Sequence, residues 1–478
     1  MLTKSKFMQG LQCHRLLWFS DKKRLPEPSI ADLHKFEQGY LFEKEVHKLY
    51  PDAINLKNLE FKENIKQTEE AIKNKKTILE AGFNLNELYV RSDILEPDNQ
   101  NWNLYEIKAT SEVKPQHLPD LAFQKYLLEK LNIKINKCFI IHLNKEYIKN
   151  GEINPKELII KEDVTEKVEE LISIEDNVTQ FLEILNKENE PDISISVNCN
   201  KPYPCPLKEH CWGILPTNNV LHLTNWRQYW EFFHQGITDI KKLPKDKLNE
   251  KDSIIYKAVT QSIIVVNKEH IRHFLNPLQY PLYHFDFETF DTAVPIYDKS
   301  RPYQKIPFQY SLHVEQKDGS LNHFEYLALG DEDPRIKLLE QLKNAIGSSG
   351  SVIVYNQAFE ISVLKKLSED FPEHKEWILN VIERVVDLII PFREFHYYNP
   401  LQKGSYSIKR VLPAITNKSY DNLEINNGGD ASILYFNNHI KDKLEVNNEL
   451  RQNLLNYCCL DTEAMVMIID ELENLCGD

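Results

Sequence analysis

One stretch, residues 283–290, constrains the fold of this chain more than any other. Aromatic and acidic residues alternate in it, which predicts a short β-strand with Phe285 and Phe287 on one face and Asp286 and Glu288 on the other. The aromatic neighbours predict that this strand is buried. Two buried carboxylates side by side repel each other and lose hydration unless a cation binds between them. The pattern therefore predicts a Mg²⁺ or Mn²⁺ site, with a surface strand carrying two solvated acids as the alternative.

The chain has 478 residues and a formal net charge of −14 at pH 7. This length predicts two or three domains with sizeable cores. The negative net charge does not indicate a nucleic-acid partner, because proteins that bind nucleic acid usually carry a basic patch. It does not exclude a nuclease either, since catalytic carboxylates add negative charge. A nucleic-acid groove would then be a local cluster of lysine and arginine, helped by bound metal ions.

The cysteines indicate a bound metal. The sequence has neither a long apolar run nor a signal-peptide core, so we expect a cytoplasmic protein without a membrane segment, in which cysteines rarely form disulfides. Cys199, Cys205 and Cys211 lie in a proline-rich stretch that predicts a rigid loop. Cys13 can complete a set of four. Four thiolates fit an iron–sulfur cluster or zinc, and a zinc site could also use His210.

A β-hairpin is predicted in the first half, with strands over 87–95 and 102–110. Glu106 and Lys108 share one face of the second strand, and Asp93 on the first strand is placed to lie nearby. Two acids can hold a metal, and a lysine can assist the attacking water and offset phosphate charge. The alternative is a cross-strand ion pair at the surface.

Two predicted helices carry further candidates. The helix over 32–50 places Glu43 and His47 four residues apart, on one face. The helix over 118–128 places Gln124 between a polar and an apolar neighbour. Taken alone, these are ordinary surface or boundary residues. Together with the hairpin and the buried strand that follows, they predict an α/β core.

This layout resembles the RecB-like branch of the PD-(D/E)XK nucleases, in the group that carries an iron–sulfur cluster. The resemblance implies that Asp93 and Glu106 bind a metal and that Lys108 is the catalytic lysine. It implies that Gln124 is the glutamine of the following helix. Glu43 stands where that branch commonly has a metal-binding histidine. The implied ligands of a 4Fe–4S cluster are Cys13, Cys199, Cys205 and Cys211.

Strands and helices alternate again after residue 281. The predicted elements are strands over 307–315, 321–328 and 352–355 and a helix over 333–347. Glu360 falls in the first turn of the next helix, and Tyr457 and Asp461 are four apart on one helix face. Each of these side chains taken singly is typical of a solvated helix end.

The set as a whole resembles the DnaQ-like 3′–5′ exonucleases, in the subgroup with tyrosine in the third motif. Asp286 and Glu288 match the first motif, Glu360 the second, and Tyr457 with Asp461 the third. The resemblance implies an RNase H-like fold and two divalent cations held by the four carboxylates. It implies that Tyr457 orients the attacking water.

Further residues are candidates through the same resemblance. Glu360 stands where most relatives have aspartate, and Asp387 is a reserve candidate for that place. Lys409 and Arg410, in the stretch 403–413, are placed to hold a phosphate.

The whole chain resembles a bacterial family that fuses a RecB-like nuclease to a DnaQ-like exonuclease. We therefore expect an α/β protein with a nuclease domain over 1–213, a helical segment over 214–276 and an exonuclease domain over 277–478. The middle segment is a plain linker or a small hairpin element that holds a phosphate backbone. The expected activity is Mg²⁺- or Mn²⁺-dependent hydrolysis of DNA, with single-stranded ends as substrate. An RNA-processing exonuclease, or a nucleic-acid-binding scaffold with inactive sites, are the alternatives.

Overall fold

A computed structural model of the chain describes residues 1–330, 332–441 and 447–477. It is a mixed α/β protein that divides into two compact units. Unit 1 comprises Met1–Ile214 and Thr292–Gln304, and unit 2 comprises Leu215–Asp291 and Lys305–Asp478. Among the described residues, no helix has the length and apolar character needed to cross a membrane.

Unit 1 is built on a mixed sheet that has seven strands in the described part of the chain. The strands are β1 (Leu2–Thr3), β2 (Ile54–Asn55), β3 (Ile78–Leu85), β4 (Leu88–Asp98), β5 (Asn101–Ile107), β6 (Ile135–Leu143) and β7 (Ile159–Asp163). Their order is β2-β3-β4-β5-β6-β7, with β1 paired to the first residues of β4. The pairs β3–β4, β4–β5 and β6–β7 are antiparallel, and β2–β3 and β5–β6 are parallel.

Helices cover both faces of this sheet. The helices of unit 1 are α1 (Lys4–Gln12), α2 (His14–Asp21), α3 (Ile30–His47), α4 (Phe61–Lys73), α5 (Leu118–Lys130), α6 (Pro155–Leu158), α7 (Thr165–Glu169), α8 (Ile174–Leu185) and α9 (Lys208–Trp212). One apolar core contains Phe7 of α1, Phe123 of α5 and Phe181 of α8. A second core contains Phe42 of α3 together with Ala293. Unit 1 therefore has a helix–sheet–helix layering, as expected for an α/β domain.

The predicted hairpin is confirmed as β4 and β5, which turn at Asn99 and Gln100. Asn99 has a positive φ of 54°, a conformation that asparagine tolerates better than most residues. The second strand ends at Ile107, so Lys108 lies just beyond it. The alternation of faces also slips along β4, since Val90 packs in one core and Ile94 in the other.

Unit 2 contains a five-stranded sheet among its described residues. Its strands are β9 (Leu282–Phe290), β10 (Ile306–Glu315), β11 (Leu321–Leu327), β12 (Ser351–Val354) and β13 (Val385–Asp387). The order is β11-β10-β9-β12-β13. The pairs β11–β10 and β10–β9 are antiparallel, and β9–β12 and β12–β13 are parallel. The strands predicted over 307–315, 321–328 and 352–355 are confirmed within a residue or two.

The helices of unit 2 are α10 (Trp226–His234), α11 (Glu250–Gln261), α12 (Lys268–Leu275), α13 (Pro334–Ala345), α14 (Gln357–Asp370), α15 (Lys375–Glu383), α16 (Ile390–Arg393), α17 (Ile408–Thr416), α18 (Gly428–Tyr435) and α19 (Asn448–Cys476). A two-stranded pair joins β8 (Val265–Val266) and β14 (Tyr397–Tyr398). α19 packs along β9 and β10. Gln309 of β10 donates a hydrogen bond to the backbone carbonyl of Leu454, which fixes the register of α19 on the sheet.

The segment that the sequence assigns to a linker, 214–276, packs into unit 2 from Leu215 onward. Phe232 of α10 and Ile255 of α11 share an apolar core with Phe395 and Tyr398. Gly236, with a φ of +78°, ends α10 and turns the chain. The segment is therefore a folded helical layer with its own buried contacts.

Candidate active sites

Three of the predicted acids meet on one face of the unit 2 sheet. Asp286 and Glu288 project from β9, and Asp461 projects from α19. One carboxylate oxygen from each lies within 4.8 Å of those from the other two. The pairing of β9 with β10 slips between Pro307 and Gln309, beside Glu288. A bulge of this kind bends a strand locally and is frequent next to functional sites.

Glu360 approaches from the start of α14. Its helix follows β12 through Asn356, which adopts a left-handed conformation with φ 79° and ψ 66°. Asparagine is one of few side chains that accept this conformation, so the strand turns directly into the helix. Within the described residues, Oε2 of Glu360 is buried without a hydrogen-bond partner. A buried carboxylate oxygen without a donor is costly, and a cation would satisfy it.

Asp387 has a different environment from the other acids. Its Oδ1 accepts hydrogen bonds from the backbone N–H of Asn356 at 2.9 Å and of Ile389 at 3.2 Å. Its Oδ2 lies 3.8 Å from the Arg393 guanidinium. These partners meet the hydrogen-bonding and charge needs of the carboxylate. Through its bond to Asn356, Asp387 stabilises the turn between β12 and α14. The reserve position for Glu360 is therefore the less suited of the two to hold a cation.

Burial and mutual repulsion dominate the electrostatics of this group. Burial, then Asp461 and Glu288, raise the pKa of Asp286 well above its ordinary value. Burial, then Asp461, raise the pKa of Glu288 to about 8, and burial raises that of Glu360 to about 8. Burial also raises the pKa of Asp461 to about 6, against a hydrogen bond from Tyr420. A divalent cation bound between clustered carboxylates would remove the repulsion that raises their pKa values.

Two tyrosines and a lysine complete the site. Tyr457 lies one turn before Asp461 on α19, as predicted. Tyr420 donates a 2.6 Å hydrogen bond to Oδ1 of Asp461. Nζ of Lys409 lies 5.0 Å from the ring centroid of Tyr457, and burial lowers the pKa of this lysine. Sequence reasoning did not single out Tyr420, since no motif marks it.

Close backbone approach also shapes this site. A Cβ at Gly428, the first residue of α18, would lie 3.2 Å from Oε2 of Glu288. The glycine therefore lets the start of the helix approach the carboxylate.

Arg410, the neighbour of Lys409 in sequence, acts on a different residue. Burial is the main cause of the lowered pKa of His222, followed by the charge of Lys403 and then by that of Arg410.

The predicted site of unit 1 is assembled at the end of the hairpin. Glu106 is almost fully buried, and its Oε1 pairs with the Lys108 ammonium at 2.7 Å. Asp93 accepts a 2.7 Å hydrogen bond from the backbone N–H of Ile107. The amide of Gln124, fully buried on α5, donates to Oε2 of Glu106 at 2.7 Å. The four side chains predicted from the hairpin and the helix after it are therefore neighbours.

Two further residues belong to this group. Asp120 accepts a 2.7 Å bond from Lys108 and a 3.1 Å bond from Gln124. Lys4, at the start of α1, places its ammonium 3.0 Å from both oxygens of Glu106 and 3.3 Å from Oδ1 of Asp93. A lysine from the N-terminus thus bridges the two acids that were predicted to share a metal.

This arrangement shifts the pKa values of Glu106 and Asp93 in opposite directions. Burial acts to raise the pKa of Glu106, but Lys108 and Lys4 outweigh it and hold that pKa below its ordinary value. Burial, then the charge of Glu106, raise the pKa of Asp93 to about 7. Glu106 is therefore the ionised partner of both lysines.

Glu43 lies beside this group and contacts other partners. Its carboxylate pairs with Lys57 at 2.6 Å and lies 3.5 Å from Nε2 of His47. Its charge, after burial, raises the pKa of Glu80. Glu80 on β3 lies opposite Asp93 on the paired strand β4. It has a positive φ of 61°, which is rare for a glutamate. Strand alternation alone could not identify Glu80, because the pairing is irregular there.

The four predicted cysteine ligands converge around a cavity of about 70 Å³. Cys13 adopts an extended conformation that separates α1 from α2. The backbone N–H of Cys205 donates to the carbonyl of Cys199 at 2.9 Å, and Arg15 donates to Sγ of Cys211 at 3.3 Å. The eight cysteines all lie among the described residues, and none of them forms a disulfide.

The spacing of these sulfurs bears on the choice of metal. In the described part of the chain, donor atoms mutually within 4.8 Å form two groups, and the four cysteines are not among them. Tetrahedral zinc with Zn–S bonds of about 2.3 Å would bring its sulfurs to about 3.8 Å from one another. His210 pairs with Glu190 at 3.1 Å instead of completing the set. No three of the four sulfurs therefore lie mutually within 4.8 Å, whereas a zinc ion bound by all four would need them closer than that.

A domain-family model described as "Domain of unknown function (DUF2779)" matches residues 283–407. The matched range includes Asp286, Glu288 and Glu360 and excludes Tyr457 and Asp461.

Three mycoplasmal proteins are similar in sequence. "Uncharacterized protein MG366 homolog" of Mycoplasma pneumoniae is 29% identical over 39% of this chain and 31% of its own length. "Uncharacterized protein UU173" of Ureaplasma parvum is 31% identical over 28% of this chain and 21% of its own. "Uncharacterized protein MG366" of Mycoplasma genitalium is 25% identical over 42% of this chain and 33% of its own. The chain thus spans between a fifth and a third of the length of these relatives.

Proposed function

We propose that unit 2 is a metal-dependent 3′–5′ exonuclease that removes nucleotides from single-stranded DNA ends. The observation that carries this proposal is the convergence of Asp286, Glu288 and Asp461, whose oxygens lie within 4.8 Å of one another. The unpartnered oxygen of Glu360 supports it. The direction of trimming rests on the resemblance to DnaQ-like enzymes. The strand order β11-β10-β9-β12-β13 supports the RNase H-like fold that this resemblance implies.

The residues of the site divide the chemistry among them. Two divalent cations bound by the four acids would supply the attacking hydroxide and stabilise the leaving oxygen. Tyr457 would orient the water through its hydroxyl, and the hydrogen bond from Tyr420 would hold the rotamer of Asp461. Lys409, half-buried over the ring of Tyr457, offers a positive charge to the phosphate.

For unit 1 we propose a RecB-like nuclease fold whose metal-binding acids are ion-paired with lysines. Its acids differ from those of unit 2 in having lysine partners. The ammonium groups of Lys4 and Lys108 lie within 4.0 Å of the carboxylate oxygens of Glu106 and Asp120 and neutralise their charge. A cation bound by Asp93 and Glu106, with Glu43 as a further ligand, must first displace Lys4. Unit 2 therefore carries the main activity.

We further propose that Cys13, Cys199, Cys205 and Cys211 bind a 4Fe–4S cluster that joins α1 to the end of unit 1. Protein purified without oxygen is expected to be brown, with broad thiolate-to-iron absorbance and about four irons per chain. Cys205→Ser should remove the colour, whereas Cys476→Ser, in unit 2, should keep it. A colourless wild type carrying one zinc would contradict the cluster.

The proposed function is tested with Mn²⁺ on single strands of DNA and of RNA labelled at the 5′ end. A ladder of products shortening from the 3′ end of DNA is the expected result. An oligonucleotide with a blocked 3′ end should resist, which separates exonuclease from endonuclease action. Faster trimming of RNA would instead favour an RNA-processing enzyme.

A nucleic-acid-binding scaffold is the second candidate, and the closed ion-pair network of unit 1 favours it for that unit. Binding of single-stranded DNA without any cleavage in Mn²⁺ would support it. Loss of cleavage in Lys108→Ala alone would instead make unit 1 the working nuclease.

A further inference from the structure

Unit 2 contains a second group of metal-ligating side chains that the exonuclease site does not use. His313 on β10, His323 on β11 and Cys459 on α19 each place one donor atom within 4.8 Å of the other two. The two histidines are directly opposite in the antiparallel pairing of β10 with β11. Their rings stack with centroids 4.3 Å apart. Three separate elements therefore bring imidazole and thiol groups to one point.

Hydrogen bonds around this group determine which ring nitrogens are free. The hydroxyl of Thr462 lies 3.1 Å from the carbonyl of Cys459, which can only accept, so Thr462 donates there. Ser311 lies 2.6 Å from the Thr462 oxygen and must then donate to it. With both hydroxyl protons used, Nε2 of His323 donates to Ser311 at 2.9 Å, and Nδ1 of His313 donates to Thr462 at 2.8 Å.

This is the one assignment that satisfies all four contacts, and it leaves lone pairs on Nε2 of His313 and Nδ1 of His323. Burial lowers the pKa of His313 to about 4, so its imidazole is neutral at pH 7. Burial lowers the pKa of His323 as well. Metal-ligating histidines in proteins typically donate their other N–H to a fixed acceptor, which sets the tautomer and the ring orientation. Ser311 and Thr462 are such acceptors.

We propose that His313, His323 and Cys459 bind a divalent transition metal of the zinc type. Two imidazole nitrogens and a thiolate suit Zn²⁺, whereas Mg²⁺ and Mn²⁺ prefer the carboxylates of the neighbouring site. With Zn–N bonds of about 2.0–2.1 Å and tetrahedral angles, the ring centroids would be about 5 Å apart. The histidines must therefore move slightly apart from their stacked arrangement, and the rings must tilt so that both in-plane lone pairs point at one ion.

The position of this site gives it a structural consequence. Cys459 lies on α19 between Tyr457 and Asp461, and the histidines lie on β10 and β11, two neighbouring strands that α19 contacts. A bound metal would tie that segment of α19 to β10 and β11. It would thus hold two exonuclease residues in place without touching the substrate.

Cobalt is the probe, because a thiolate ligand gives Co²⁺ a charge-transfer absorbance that oxygen ligands do not. The full-length protein is titrated with Co²⁺ in excess Mg²⁺, which keeps the carboxylate site filled. Wild type is expected to bind one equivalent more than Cys459→Ser, and the difference between their spectra should show thiolate absorbance and tetrahedral visible bands. Cys459→Ser and His323→Gln should each lose that equivalent, and Ser311→Ala should weaken it about 10- to 100-fold.

The controls separate this site from the other thiols. Cys476→Ser lies on the same helix and should behave as wild type. His323 is exposed, so His323→Gln preserves folding even where Cys459→Ser does not. Zn²⁺ should raise the Tm of wild type more than it raises that of His323→Gln. Identical cobalt spectra in wild type, Cys459→Ser and His323→Gln would overturn the proposal, as would a wild type without cobalt–thiolate absorbance.

Discussion

Asp286→Ala is expected to abolish 3′ trimming, with a loss of at least about 10³-fold in rate. Asp286 lies at the centre of the unit 2 site, where Asp461, Glu288 and Glu360 all act on its pKa after burial. A ligand shared in this way positions bound cations, and their stabilisation of the transition state amounts to several kcal/mol. A loss of about 4 kcal/mol corresponds to about 10³-fold. The measurement is the single-turnover rate on 5′-labelled DNA at saturating Mn²⁺.

The matched control is Asp291→Asn, just past the end of the same strand, where the acid pairs with Lys305. This variant should retain its activity within about twofold, since a surface ion pair contributes at most about 1 kcal/mol. The folded state of Asp286→Ala is checked by its Tm without metal, which should rise or stay unchanged because a repelled buried carboxylate is removed. Activity surviving in Asp286→Ala with normal folding would place the nuclease elsewhere.

Lys4→Met is expected to destabilise unit 1 by about 3 kcal/mol in EDTA. Removing one partner of a buried ion pair leaves the other charge uncompensated, which costs about 3–5 kcal/mol. The lower value applies because the Lys4 side chain is 23% exposed. Methionine keeps the apolar stem, so the change removes mainly the charge. For a unit of this size the Tm should fall by about 6 °C or more, measured by calorimetry on the full chain.

Mn²⁺ distinguishes the role of Lys4 from a simple packing role. If Lys4 occupies the place of a cation between Asp93 and Glu106, Mn²⁺ should restore the Tm of Lys4→Met more than it raises that of wild type. Lys6→Met is the control on the same helix, since Lys6 pairs with the partly exposed Asp21 at 2.7 Å. Equal Mn²⁺ shifts in wild type and Lys4→Met would show that the two acids do not share a metal.

The sequence predicted much of the fold because its strands are strongly patterned. The alternation around Asp286 and the turn residues of the hairpin are local signals, and both strands formed where expected. The four-residue spacing of Tyr457 and Asp461 needs only a helix to place them on one face. These parts of the candidate sites follow from short stretches of sequence.

Other parts depend on long-range packing that no local pattern encodes. Lys4 reaches Glu106 across 102 positions of sequence, and Tyr420 reaches Asp461 across 41. Glu80 was missed because its strand is irregular, and the role of Asp387 was open because its backbone partners are set by the fold. The pairing of His313 with His323 required the register of β10 on β11, which alternation cannot fix.

The residues Thr292–Gln304 have a practical consequence for dissecting the chain. They follow β9 in sequence, yet they complete unit 1, where Ala293 lies in a core with Phe42 and donates its backbone N–H to Gln38. The side chain of Tyr303 likewise donates to the carbonyl of Ala109. Cutting the gene between the two halves would remove these residues from unit 1 and leave them on the other fragment without their core partners. Each unit is therefore best silenced by point substitution within the intact chain.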